Sequence, residues 1–567
     1  MSSSASKHVL DESLNYRDPD TVMRLNRMGS SHQCRLSFMR TLLRRLKREA
    51  WTFDRTVWEI NPRGFGRAVY QAAGPHRTYS LIIFSHDLPD DKRSDRVIAE
   101  AWDATFTLFD GVPTEIDLQR LEQNVPKQEA GRISSSEICL SRANCSMRMF
   151  DGVIDALANG DQPDQEKVEQ VGYLMRTTAV YGSGKFGAAD RDMIKERPEL
   201  EGPFQAEMLS VWLIRAFTLD LVEHIAAAKG GADAVVLEPE LRRCFGVGNS
   251  TGLGMAPFVI NHPTLLNNWI VARETALARV RSLEQVDAEK YHSFCDYVKR
   301  AALNADRWHS EHPIQKPKIA ALRTDFQKIF DYLVKFNYKT PNAWNVLYCW
   351  AQEELSLEGC EQIAMLMMEP YPELVDDLTS EMGVDESNLF LIDGNMSVKS
   401  LCDILEENYD WALATDFTER DNKSRFWYVS EEKLEPRLGE RFAEPGKELE
   451  QPLCISWQIS DLYRQLQQWS ASASVKEFLF KHPECRYIVR RAQQIQRFPY
   501  MEVRDNLISA GMLPIDLLRL KLSFFGANKF DPRSDRWVRI NMFQYAPFPH
   551  ELASMSEEEW VYPLIKN

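Results

Sequence analysis

The sequence predicts a predominantly α-helical α+β protein: a large helical body, an N-terminal antiparallel β module and a mixed C-terminal region. Three observations carry that expectation. Residues 56–88 hold β-branched and aromatic runs separated by NPRG and AGPHR, the punctuation of an antiparallel hairpin or meander. From about residue 135 to about 415, apolar residues recur at helical spacing. The chain is 567 residues long and 44% hydrophobic, which is too long for one ordinary core and apolar enough for several packed layers.

Residues 1–30 are polar and aperiodic and read as a flexible arm. Residues 33–50 read as an amphipathic helix, with Leu36, Met39, Leu43 and Leu46 on one face and Arg40, Arg44, Lys47 and Arg48 beside them. Those cations are expected to pair with an acidic body rather than with RNA or a membrane. AWDATFTLFDG (101–111) adds a strand, so residues 31–130 form the α+β module. Helices are expected near 136–158, 165–177, 204–228, 264–283, 286–309, 319–336, 342–355 and 358–368. Residues 131–310 are the helical core, interrupted by VYGSGKFGAADR (180–191) and GVGNSTGLG (246–254). Residues 311–567 are a mainly helical C-terminal domain, with short strands near 411–455, helices from 457 to about 523 and an irregular aromatic tail packed on the body.

The bulk properties exclude several classes. A net charge of −15 repels phosphate backbones, so nucleic acid is not expected as a partner. The ten cysteines show no CxxC pair and the N-terminus has no apolar leader, which predicts reduced thiols and a cytoplasmic location. The most apolar helix, 204–228, is interrupted by Arg215 and Asp220 and reads as a core helix, so no membrane partner is expected. His309 and His312 stand three apart near a helix end, but no third ligand follows at a useful spacing, and a metal centre is not expected. The polar N-terminal stretch and abundant aromatics leave a homo-oligomer, a homodimer in particular, open.

The two glycine-rich segments are where chemistry is expected. In the first, Arg176, Thr177, Thr178, Tyr181, Gly182, Ser183, Gly184 and Lys185 crowd cationic and hydroxyl groups onto a glycine turn, whose successive backbone N–H groups can form an anion-binding nest. GSGKFG fits G-x-G-x-x-G literally. A dinucleotide fold also needs a strand before it and a second strand ending in Asp or Glu, whereas the upstream residues read as helix. In the second, Gly248, Asn249, Ser250, Thr251 and Gly252 precede a helix start, where free N–H groups favour a carboxylate or phosphate. His262, set between Asn261 and Pro263, is a candidate proton carrier, as is Lys185. Arg215 in the apolar helix needs either a structural partner, with Glu207 and Glu223 to hand, or a bound anion.

The expected function is therefore a cytosolic enzyme acting on a small carboxylate- or phosphate-bearing molecule. His262 and Lys185 would be catalytic, and Arg176, Thr177, Thr178, Tyr181, Gly182, Ser183, Gly184, Arg215, Gly248, Asn249, Ser250, Thr251 and Gly252 would bind substrate. Metal-independent lyase, isomerase or transferase chemistry fits these groups. One alternative is an oxidoreductase using NAD(P) or a flavin at GSGKFG. The other is a non-catalytic helical scaffold or ligand-sensing protein whose basic helix docks a partner.

Overall fold

The structure, a computed structural model, describes residues 13–92, 101–124, 134–177, 194, 196–251, 262–310, 315–383, 391–418, 455–504, 519–527, 529–532, 538–555 and 558–562. It is α+β and helix-dominated, as the sequence predicts. The strands are β1 (Thr52–Ile60), β2 (Gly66–Ala73), β3 (Thr78–Ser85), β4 (Ala104–Asp110), β5 (Glu137–Cys145), β6 (Tyr173–Thr177), β7 (Gly246–Thr251), β8 (Lys529–Pro532) and β9 (Val538–Met542). They form one sheet in the order β1-β2-β3-β4-β5-β6-β7-β9-β8.

β1 to β4 are the meander expected from the turn chemistry. Asn61 accepts the N–H groups of Arg63 and Phe65, and Gly64 takes the positive φ (+90°) that closes the NPRG turn. Every neighbouring pair in the sheet is antiparallel except β6 and β7. A parallel pair needs a crossover, and the helix Gln205–Gly230 lies in this one. This central helix is apolar nearly all round because it is buried against one sheet face, where its Phe217 ring meets Tyr70 and Phe106. On the opposite face, Val69, Ile82, Phe84 and Phe109 pack under Leu118 and Leu121 of the helix Glu115–Asn124.

The structure departs from the sequence reading at several elements. Residues 136–158 are not one helix but β5 followed by the helix Phe150–Ala158. Both faces of β5 are covered, so its apolar residues do not alternate. Residues 165–177 divide at Gly172, whose left-handed backbone (φ +72°) ends the helix Gln165–Val171 before β6 begins. GVGNST is a strand rather than a loop, and the aromatic tail supplies β8 and β9. The strands expected near 411–455 fall mostly on residues 419–454, outside the described residues. The segment before them carries the short helix Asp410–Leu413.

The helices Pro263–Arg281, Ala288–Asp306, Gln315–Leu333, Ala343–Glu354 and Leu357–Leu366 lie where the periodicity predicts them and share the sheet's hydrophobic core. An aromatic knot joins the halves. Phe38 lies 4.7 Å from Trp269 and 5.0 Å from Phe525, and Phe204 lies 4.8 Å from Phe525. Among the described residues no helix is long and apolar enough to cross a membrane.

Where an arm was expected, the N-terminal stretch is docked on the body through buried Arg17, Val22, Met23, Leu25 and Met28. Arg17 grips Glu274 (2.7 and 2.8 Å) and Glu361 (2.9 and 3.0 Å), and Arg27 also reaches Glu361. Burial alone would raise the Glu274 carboxyl, but the Arg17 and Arg273 guanidinia hold it at about 2. The basic helix Phe38–Arg48 likewise meets partners within the chain. Arg40 is fully buried and forks onto Glu369 at 2.6 and 2.7 Å, and Glu369 also meets His32 at 2.7 Å. Glu558, near the C-terminus, completes the cluster by accepting from Arg40.

Glu369→Ala would leave the buried Arg40 with only Glu558 of its two carboxylates and His32 without its carboxylate, and is expected to lower the unfolding free energy by about 3 kcal/mol or more in denaturant titration. A loss below about 1 kcal/mol would show that the cluster does not hold the N-terminal segment in place.

Candidate functional site at the carboxyl ends of the parallel strands

Both glycine-rich segments leave the sheet from the same edge, because β6 and β7 are adjacent and parallel. Tyr173 pairs with Gly246 and Arg176 with Gly248, so the chain enters 178–193 and 252–261 from neighbouring strand ends. Carboxyl ends of parallel strands are where open α/β sheets place ligands.

Two of the glycines have a packing reason. A Cβ on Gly246 would lie 2.5 Å from the Met542 carbonyl oxygen. One on Gly248 would lie 2.7 Å from the Tyr173 ring and 2.8 Å from Arg176 Cγ. They admit close strand and side-chain approach, which corrects the expectation of a ligand-cradling loop at these positions.

Register divides the predicted anion binders between the two faces. Asn144, Arg176 and Gly248 are cross-strand neighbours, on the face away from the central helix. Arg142 lies two residues along β5 on that same face, its guanidinium 4.5 Å from the Trp102 ring centroid. Asn249 alternates to the face of the central helix. Its Nδ2 donates to the Thr177 carbonyl at 2.8 Å, which ties the end of β6 to β7. Thus Thr177 and Asn249 are brought together, while the Arg176 side chain stands across the sheet from Asn249.

On the Asn249 side the structure adds a residue that the sequence reading missed. Lys521 opens a π-helical turn, Lys521–Phe525, and its Nζ donates to Asn249 Oδ1 at 2.6 Å. Its relative exposure is 1%, and the Phe525 ring centroid lies 5.8 Å from Nζ. Among the described residues no carboxylate pairs with it, and burial pushes its pKa well below the usual lysine value. The sequence carried a signal: a single Lys set among Leu520, Leu522, Phe524 and Phe525.

Arg215 is a structural clamp. Its Nε, Nη1 and Nη2 donate to the carbonyls of Phe245, Ala546 and Arg243, and its guanidinium stacks 4.0 Å from the Phe548 ring centroid. Backbone carbonyls, rather than Glu207 or Glu223, satisfy it, and its donors do not face an anion. His262 stands at the start of the helix Pro263–Arg281, its carbonyl accepting from Leu266 N. Ser250 and Thr251 lie in β7 opposite Arg539 and Val538. Thr178, Tyr181, Gly182, Ser183, Gly184, Lys185 and Gly252 lie outside the described residues.

A strand, β6, does precede GSGKFG where helix was expected, and β7 is its parallel neighbour. β7 nevertheless ends in Asn-Ser-Thr, without the acidic residue that binds a dinucleotide ribose. Among the described residues no group of three or more His, Cys, Asp or Glu is placed to hold a metal ion. An open recess lined by Glu289, His292, Asp296, Arg300 and Glu559 carries three carboxylates, which disfavours an anion there. Compared with protein-family models, curated proteins and solved structures, the chain matches none.

Arg215→Met would orphan three buried carbonyls and is expected to destabilise by about 3 kcal/mol or more at pH 7. Lys521→Met is expected to leave stability unchanged or raise it. A lysine whose pKa is lowered on folding penalises the native state below its unfolded value. Wild type should therefore gain on Lys521→Met as pH rises from 7 towards 10, by up to about 1.4 kcal/mol per unit. A pH-independent difference between the two would mean that Lys521 titrates alike folded and unfolded.

Proposed function

We propose that the chain is a cytosolic enzyme acting on a small carboxylate- or phosphate-bearing substrate at the carboxyl ends of β6 and β7. The observation that supports this most is Lys521, a fully buried lysine whose single described hydrogen-bond partner is a neutral amide. Structural lysines in an interior are normally paired with an acid. A lysine held against an amide instead is suited to moving a proton or to receiving an anion from outside the fold. In this reading Asn249 orients the amine and Thr177 fixes Asn249. Arg176 stands on the other sheet face and takes no part in binding beside this amine, and Gly182, Ser183, Gly184 and Lys185 follow β6 in the sequence. Ser250 and Thr251 continue β7 beyond Asn249, and His262 is retained as a second proton carrier.

A second reading is favoured by one observation, the strand β6 immediately before GSGKFG. In that reading the edge holds NAD(P) or a flavin and the reaction is a redox step. A ligand of nucleotide size, seen as excess native mass lost on denaturation, would favour it over the first.

The test of the first reading is binding of phosphate, succinate and lactate, followed by calorimetry at pH 7. At least one is expected to bind wild type and to bind Lys521→Met at least tenfold more weakly, with the variant's melting temperature no lower than wild type. Equal affinities would remove Lys521 from the site, and no binding by any small acid or phosphate would overturn the reading.

A further inference from the structure

Resting on that reading, we infer that the substrate class is a 2-oxo acid, which Lys521 Nζ attacks at the keto carbon to form an imine.

Among the described residues no acid, histidine or hydroxyl is hydrogen-bonded to Nζ, so none of them is placed to relay a proton away from it. A general base needs such an exit between turnovers, whereas in imine formation the amine protons pass to the substrate's own carbonyl oxygen and leave with it as water. A buried lysine in apolar surroundings is the activated form of this nucleophile, because burial disfavours the protonated, charged form. Phe525 supplies such surroundings, fully buried with its ring centroid 5.8 Å from Nζ. Asn249 Oδ1 accepts one N–H at 2.6 Å, which orients the lone pair away from the amide.

The balance of the step then selects the substrate. The Nζ lone pair forms a C–N bond as the C=O π pair moves to oxygen. Both amine protons leave with that oxygen as water, giving the neutral imine. One further proton from solvent makes the iminium cation. That cation stands where no described carboxylate can neutralise it. A substrate with its own carboxylate on the adjacent carbon brings the missing charge, so the iminium–carboxylate pair is neutral overall. A simple aldehyde or ketone would leave a buried positive charge uncompensated.

The experiment incubates the full-length wild-type protein with pyruvate, or separately glyoxylate, and sodium cyanoborohydride at pH 7. Peptide mass spectrometry then locates the reduced adduct. At that pH an exposed lysine is neutral in roughly one molecule in 2,500. Lys521 is therefore expected to be modified at least tenfold more than any other lysine, and acetone should give no adduct there. Lys521→Met should lose the adduct while its circular dichroism stays that of wild type and its melting temperature is no lower. Mapping the adduct in wild type makes the result independent of whether that variant folds. Lactate binding without a pyruvate or glyoxylate adduct at Lys521 would overturn the imine and leave the anion reading standing. Neither adduct nor binding of any small acid or phosphate would overturn both. Labelling confined to exposed lysines would also overturn the imine.

Discussion

The fold depends on buried arginines whose charges are matched across long stretches of chain. Arg17 joins Glu274 and Glu361, and Arg40 joins Glu369 and Glu558. None of these partners is near in sequence, so each pair closes a large loop. A lone guanidinium in such an interior would be prohibitively unfavourable, which makes the arrangement close to all-or-none. The N-terminal segment is therefore a structural strut between the sheet half and the helical half. The same pairs explain how an acidic chain tolerates so basic a helix at residues 38–48.

That strut also places the site. A Cβ on Gly29 would lie 2.4 Å from the Arg519 carbonyl oxygen, so the N-terminal segment presses directly on the backbone that leads into Lys521. Cys34 N donates to Ser523 O, and Arg519 Nε lies 3.0 Å from Glu358. Lys521 is thus fixed from both sides while its own amine meets an amide. Among the described residues, Arg519 meets a carboxylate and Lys521, two positions on, does not. Cations elsewhere in this interior, Arg17, Arg40, Arg273 and Arg491, have acids, and Arg215 has three carbonyls.

Much of the fold was legible in the sequence where turn chemistry or period is local. NPRG and AGPHR punctuate the meander, and the helices between 263 and 366 announce themselves by spacing. β5 was not legible, because both of its faces are buried and the following helix continues the apolar run without a turn signal. β6 is only five residues long, and Gly172 is its sole boundary mark. The edge of the site was legible in Thr177 and Asn249, whose segments do leave adjacent strand ends. The division of Arg176 and Asn249 between two faces was not, since it follows from the parallel register of strands separated by a whole crossover. Lys521 lies 272 residues from Asn249, and only tertiary packing brings them together.

We propose that the buried Lys521 amine receives an anion, and its titration tests this most directly. With ¹³C-labelled lysine, the Lys521 Cε resonance can be assigned by its loss in Lys521→Met and followed against pH with and without lactate or phosphate. A midpoint well below that of exposed lysines, moving upward when an anion binds, is the predicted result. A midpoint at the ordinary lysine value, unmoved by any anion, would contradict the account.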